Sequence, residues 1–294
     1  MMDSFEKLDT LDISSCRSLT CLNSLLKLST KLKWLNLYNC SFHLQINPTI
    51  YQILYQLTAL EYLDLSTDNN SSIMETVYDI NKFLSEENCL PNLKHFDLSG
   101  QKNIRSECLQ EFLLSHSNLQ FLGLFLTNAK YSSCLFNSTD PCYSKTRQYT
   151  YDLHDMISSS INEDHIHLYE SCLIQSLKRY SERASFVQKI LYYIFFLTRS
   201  GQSKNQKLLL ELILQAMSIH HNLQSVQMAS TACIYNLTRT PLTEQLNVKM
   251  LGKIIQEIIN VMELFSNQQQ VKFFTDVCES AHAHLFFSCR KIVS

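Results

Sequence analysis

Glycine and proline are scarce, four of each in 294 residues. So little punctuation excludes a loop-rich fold and suits closely stacked helices. A charge excess is missing too: 25 Lys and Arg stand against 27 Asp and Glu, a formal net charge of −2. Binding a phosphate backbone calls for a basic surplus, so no nucleic acid is expected as a partner. The longest unbroken apolar run, Ile190 to Leu197, falls far short of the ~20 residues of a membrane span, and no membrane partner is expected. Met1 to Glu6 lacks the basic-then-apolar order of a signal peptide. Eleven cysteines include no Cys-x-x-Cys pair, so reduced, buried thiols and a cytoplasmic or nuclear location are expected.

Chemical motifs are equally absent. There is no Gly-x-x-x-x-Gly-Lys, His-Glu-x-x-His or Gly-x-Ser-x-Gly, and no catalytic residue and no cofactor are expected. His165-x-His167 presents alternate residues to different sides of a helix. Cys278, His282, His284 and Cys289 lack zinc-ribbon spacing. No metal site is expected from either group.

What the chain does have is repetition. Leu8-x-x-Leu11-x-Ile13 returns as Leu32-x-x-Leu35-x-Leu37, Leu60-x-x-Leu63-x-Leu65, Leu93-x-x-Phe96-x-Leu98 and Leu119-x-x-Leu122-x-Leu124, at steps of 24, 28, 33 and 26 residues. These steps fall around the leucine-rich-repeat range. Cys16 and Cys40 take the small-residue slot of that repeat. Amphipathic returns are expected over 18–29, 48–57, 74–84 and 104–114. Further on, Phe196-Leu-Thr-Arg199 recurs as Asn236-Leu-Thr-Arg239, a shift of 40 residues, near the armadillo or HEAT period. Val187-Gln188 and Val226-Gln227 are also expected to occupy equivalent places. Helical periodicity predicts helices over 166–180, 184–198, 205–219, 223–238 and 248–265, with another start near Gln268.

The expected fold is therefore an α/β leucine-rich-repeat solenoid over 1–128, a connector over 129–162 with a short helix near 151–157, and an all-α armadillo-like segment over 163–274. Residues 275–294 break the pattern and read as a truncated end. Stopping an array there should leave the apolar face of Leu251, Ile254, Ile258 and Val261 partly uncovered, favouring self-association.

Repeats present long surfaces, so function is sought on surfaces. Strand alternation gives three outward columns on the concave face: Thr10, Trp34, Tyr62, His95 and Phe121; then Asp12, Asn36, Asp64, Asp97 and Gly123; then Ser14, Tyr38, Ser66, Ser99 and Phe125. Trp34, Tyr62, His95 and Phe121 are candidate partner-binding residues, since large rings serve as anchors; common repeat filler is the plainer alternative. In the helical half, Ala229-Ser-Thr-Ala232-x-x-Tyr235-Asn236-Leu237 resembles the third helix of an armadillo repeat, and the resemblance implies Asn236 as a candidate groove residue whose amide offers both donor and acceptor to an extended peptide. A solvent-facing helix residue is its alternative.

Several stretches are not generic repeat consensus: Phe121-Leu-Gly-Leu124, Tyr131-Ser-Ser-Cys134-Leu135-Phe136, Arg179-Tyr180-Ser-Glu182-Arg183-Ala184, Ala232-Cys-Ile-Tyr235-Asn236-Leu237-Thr238 and Asn267-Gln-Gln-Gln270. In these the chain resembles the Zyg-eleven family, Zer-one relatives included, over roughly residues 5–274. The resemblance implies a substrate receptor of a cullin-two RING ubiquitin ligase. Its partners would be cullin-two, elongin B, elongin C and protein substrates bearing degrons. The family's docking box has no match here, since Thr10-Leu11 precedes Cys16 by one residue too many. A ligase-independent scaffold holding a protein partner is the alternative reading.

Overall fold

The computed structural model describes residues 8–16, 22–40, 50–68, 80–127, 129, 139, 163–199, 203–238 and 246–265, with the backbone alone for 163–168. The chain divides into two compact units, Met1–Asp152 and Leu153–Ser294.

In the first unit five three-residue strands, β1 (Thr10–Asp12), β2 (Trp34–Asn36), β3 (Tyr62–Asp64), β4 (His95–Asp97) and β5 (Phe121–Gly123), form a parallel sheet in chain order. The central residues Leu35, Leu63, Phe96 and Leu122 are buried, as are the flanking Leu32, Leu60, Leu93 and Leu119. Burying this apolar series fixes the register, because a slip of one residue would turn it to solvent. The chain returns through a 3-10 turn (Asn23–Leu28) and the helices α1 (Ile50–Leu54), α2 (Ile80–Leu84) and α3 (Ser106–Ser115).

Between the sheet and these helices Phe83, Phe96 and Phe112 form a ring cluster, with centroids 6.0 and 5.3 Å apart. His116 stacks on Phe112 at 3.9 Å, and its Nε2 lies 2.6 Å from the Cys89 carbonyl. The Cys40 thiol fills its expected slot, donating to the Ile13 carbonyl across 3.0 Å. Burial pushes that thiol up to about 11.

Four of the five strands end in a turn whose geometry repeats. Ser15, Asn39, Gly100 and Leu126 all have positive φ, and each stands three residues after its strand. At Gly100, with φ of +82°, an added Cβ would sit 1.9 Å from the Thr67 carbonyl oxygen. Only glycine fits there.

The second unit holds α4 (Glu163–Arg179), α5 (Ala184–Thr198), α6 (Gln206–Ile219), α7 (Gln224–Thr238) and α8 (Val248–Leu264). Helices α5 and α7 pack closely together, while α6 touches α4, α7 and α8. Their threonine ends are alike: Thr198 Oγ1 donates to the Ile194 carbonyl at 2.7 Å and Thr238 Oγ1 to the Ile234 carbonyl at 2.8 Å. The repeat of Leu-Thr therefore has a structural basis, a buried leucine and a threonine that bonds back one turn.

Two expectations fail here. Helices starting at Ala184 and Gln224 pair Val187 with Gln227, not Gln188 with Gln227. Gln227 is buried and donates to the Met217 and His220 carbonyls at the end of α6, at 2.8 and 3.0 Å, whereas Gln188 faces solvent. Leu251, Ile254, Ile258 and Val261 are buried as well, so the face expected to be partly uncovered is closed. The argument for self-association through it falls away. The expected short helix near 151–157, the start near Gln268 and the stretch 275–294 lie outside the described residues.

Candidate functional site

Register places the first column in one row. Thr10 pairs with Trp34, Trp34 with Tyr62, Tyr62 with His95 and His95 with Phe121. The phase is set by main-chain forks at the strand entries: the Lys33 carbonyl accepts from Glu61 and Tyr62 N–H, Glu61 from Lys94 and His95, and Lys94 from Gln120 and Phe121. Parallel strands lie about 4.8 Å apart, close to the spacing at which rings stack.

The rings do so. Trp34 lies on Tyr62 with centroids 4.8 Å apart and planes 17° apart. Tyr62 to His95 is 6.0 Å, and His95 to Phe121 is 6.2 Å with planes 26° apart. All four are half-buried, so each ring is held by its neighbours while part of it stays accessible. Beside the row, Glu61 binds Lys94 at 2.5 Å and Lys33 at 3.6 Å. The Lys94 hydrogen bond, with the nearby positive charge, holds the Glu61 carboxyl below its ordinary range.

The other two columns are open only near the start of the sheet, where Asp12 is exposed and Ser14, Asn36 and Tyr38 are half-buried. Asp64 and Asp97 are 0 % and 1 % exposed, and Ser66, Ser99 and Phe125 are also buried. The reason is local. Carboxylate or amide oxygens of Asp12, Asn36, Asp64 and Asp97 each accept the N–H two residues on, from Ser14, Tyr38, Ser66 and Ser99, at 2.8–3.0 Å. Strands of three residues end where the second column stands, so these side chains brace the turns. Asn36 also donates to Asp12 across 3.0 Å.

Asn236 sits in α7, 8 % exposed. Its Nδ2 donates to the Phe195 carbonyl at 3.0 Å and lies 3.4 Å from Thr198 Oγ1, both on α5. The side chain ties the two helices together.

One site escaped the sequence reading. Glu170 of α4 is wholly buried. Its carboxylate accepts from Ser203 Oγ, from Asn205 N–H at 2.9 Å, and from Lys204 N–H and Asn205 Nδ2 at 3.2 Å each. It clamps the entry to α6. A signal existed: Glu170 stands three, four and seven residues before Leu173, Ile174 and Leu177, in phase with the apolar stripe, where a charge needs partners.

His165 and His167 lie where only backbone is described, and Cys278, His282, His284 and Cys289 lie outside the described residues. Among the described residues no group of three or more His, Cys, Asp or Glu side chains could hold a metal, and no helix is long and apolar enough to cross a membrane.

Comparison with known proteins bears on both units. Residues 1–118 match the family model described as Zer-1-like, leucine-rich repeats, and residues 214–273 match that of the protein zer-1 homolog-like C-terminal domain. Relatives include the protein zer-1 homologs of Pongo abelii and Homo sapiens, each 22 % identical over 247 residues, covering 76 % of this chain and 29 % of the relative. The chain thus spans under a third of the length of these relatives. No solved structure is a significant match.

Proposed function

This chain belongs to the Zer-1-like family, and on that premise we propose that it is a protein-interaction adaptor of the substrate-receptor kind. Its leucine-rich unit holds a protein substrate against the row Trp34–Tyr62–His95–Phe121. The observation that carries this reading is the unbroken ring row across four strands, since pre-ordered aromatic groups gain contact area at little entropic cost. The destination, a cullin-two ligase joined through elongin B and elongin C, is supported by the junction motifs shared with that receptor family.

The helical unit is read as armadillo-like, supported by the 40-residue return of the Leu-Thr helix ends. Within it Asn236 keeps α5 and α7 in step. A ligase-independent scaffold is favoured by one observation. Thr10 and Leu11, the nearest approach to a docking box, are already used by β1.

Co-purification of the full-length gene product with elongin B, elongin C and the cullin tests the destination, and capture of none of the three sinks it. Trp34→Ala with Tyr62→Ala is expected to weaken substrate capture by ~2 kcal/mol or more while leaving elongin binding intact. Unchanged capture would remove the ring row from the proposal.

A further inference from the structure

Helix α5 and its C-cap residue Arg199, still in helical conformation, place Lys189, Tyr192, Phe196 and Arg199 at positions i, i+3, i+7 and i+10. At about 100° per residue these four lie within roughly 80° of one another around the helix. Tyr192 is 50 % exposed and Phe196 half-buried, and their rings meet edge to face at 4.6 Å. Lys189 and Arg199 are both exposed, one at each end of the aromatic pair and about 15 Å apart along the axis.

Among the described residues neither cation pairs with an acid; the ion pairs there are those of Glu61 with Lys33 and Lys94. Helix α5 contains no Asp or Glu, and α7 beside it contains no charged residue at all. One exposed and one half-buried ring bracketed by unneutralised cations form an apolar patch with a definite charge preference.

We propose that this stripe is a docking surface for a protein segment whose apolar side chains are flanked at both ends by Asp or Glu, the acidic groups standing about 15 Å apart. The rings take the apolar centre, Lys189 takes one acidic end and Arg199 the other. Arg199 supplies the planar fork that pairs with a carboxylate through two hydrogen bonds. This surface is separate from the ring row of the first unit, and its assignment stands independently of the ligase reading.

The test uses the full chain and three fluorescein-labelled twelve-residue peptides sharing one Leu/Phe centre, with ends of glutamate, lysine or serine. Fluorescence anisotropy should show the glutamate-ended peptide binding at least tenfold tighter than the lysine-ended one. Lys189→Glu with Arg199→Glu should invert that order, and a gain of binding to the lysine-ended peptide cannot come from unfolding. Tyr192→Ala with Phe196→Ala should weaken the glutamate-ended peptide at least tenfold with helicity unchanged, and Trp34→Ala with Tyr62→Ala should leave it alone. Equal affinities for all three peptides, no saturable binding, or a preference that survives the charge reversal would overturn the proposal.

Discussion

Replacing Glu170 tests the energetics of the helical unit at one point. Its buried carboxylate receives four donors, two of them main-chain N–H groups of Lys204 and Asn205. Glu170→Ala removes every acceptor at once. A hydrogen bond to a charged group contributes about 1.5–3 kcal/mol, so losing the two main-chain bonds costs about 4 kcal/mol. Glu170→Gln keeps the volume and one carbonyl oxygen but turns an amide toward donors, and is expected to cost about half as much. Urea unfolding reads the difference through two probes. The single tryptophan, Trp34, belongs to the first unit, whereas the longer helices, and so most of the ellipticity at 222 nm, belong to the second. At about 2 kcal/mol per molar of urea, the ellipticity midpoint of Glu170→Ala should fall by ~2 M. The tryptophan midpoint should stay in place. Destabilisation by Glu170→Ala of less than about 1 kcal/mol would refute the clamp; both midpoints moving together would show that its effect is not local.

Three further outcomes are expected. Gly100→Ala, at φ of +82° with a Cβ 1.9 Å from the Thr67 oxygen, should destabilise the first unit by at least ~2 kcal/mol, read from Trp34 fluorescence in urea. Glu61 titrates below its ordinary range because of Lys94 and, less, Lys33. Its stabilising contribution is therefore present above the ordinary carboxylate pKa and lost as pH falls through the folded-state value. The stability gap between the native chain and Glu61→Gln should shrink between about pH 7 and pH 3; a gap that widens on acidification would contradict this. Burial holds the thiols of Cys40 and Cys172 up near about 11, that of Cys89 near about 12 and that of Cys233 higher still. All four should resist maleimide in the native chain at pH ~8 and label quickly in urea. Rapid native labelling of Cys233, located by peptide mass mapping, would show that α7 opens.

The strand triplets were legible because Leu-x-x-Leu-x-Leu repeats a period of two against a fixed apolar seam. The ring row followed from them, since parallel pairing turns equal places in successive repeats into neighbours. The turn-bracing of Asp64 and Asp97 was not legible by the same rule. Alternation tells which side a residue leaves the strand, but not that a strand of three residues has already become a turn. Helices over 184–198 and 248–264 announced themselves by apolar period, whereas the place of Gln227 did not. Two echoes, one at 40 residues through Leu-Thr and one at 39 through Val-Gln, competed, and burial of the glutamine at the end of α6 decided for 40. Glu170 was hidden for a different reason: its partners lie 33 to 35 residues away, and only the fold brings them to it.

Sequential strand order has a mechanical meaning. Among the described strands of the first unit, each is hydrogen-bonded to those next in sequence, so tension at the ends of the unit loads the ladders in series. Extension should peel the sheet one repeat at a time. Successive strands start 24, 28, 33 and 26 residues apart, so each release should lengthen the tether by roughly 8–12 nm at about 3.5 Å per residue. The longest step belongs to the β3–β4 segment.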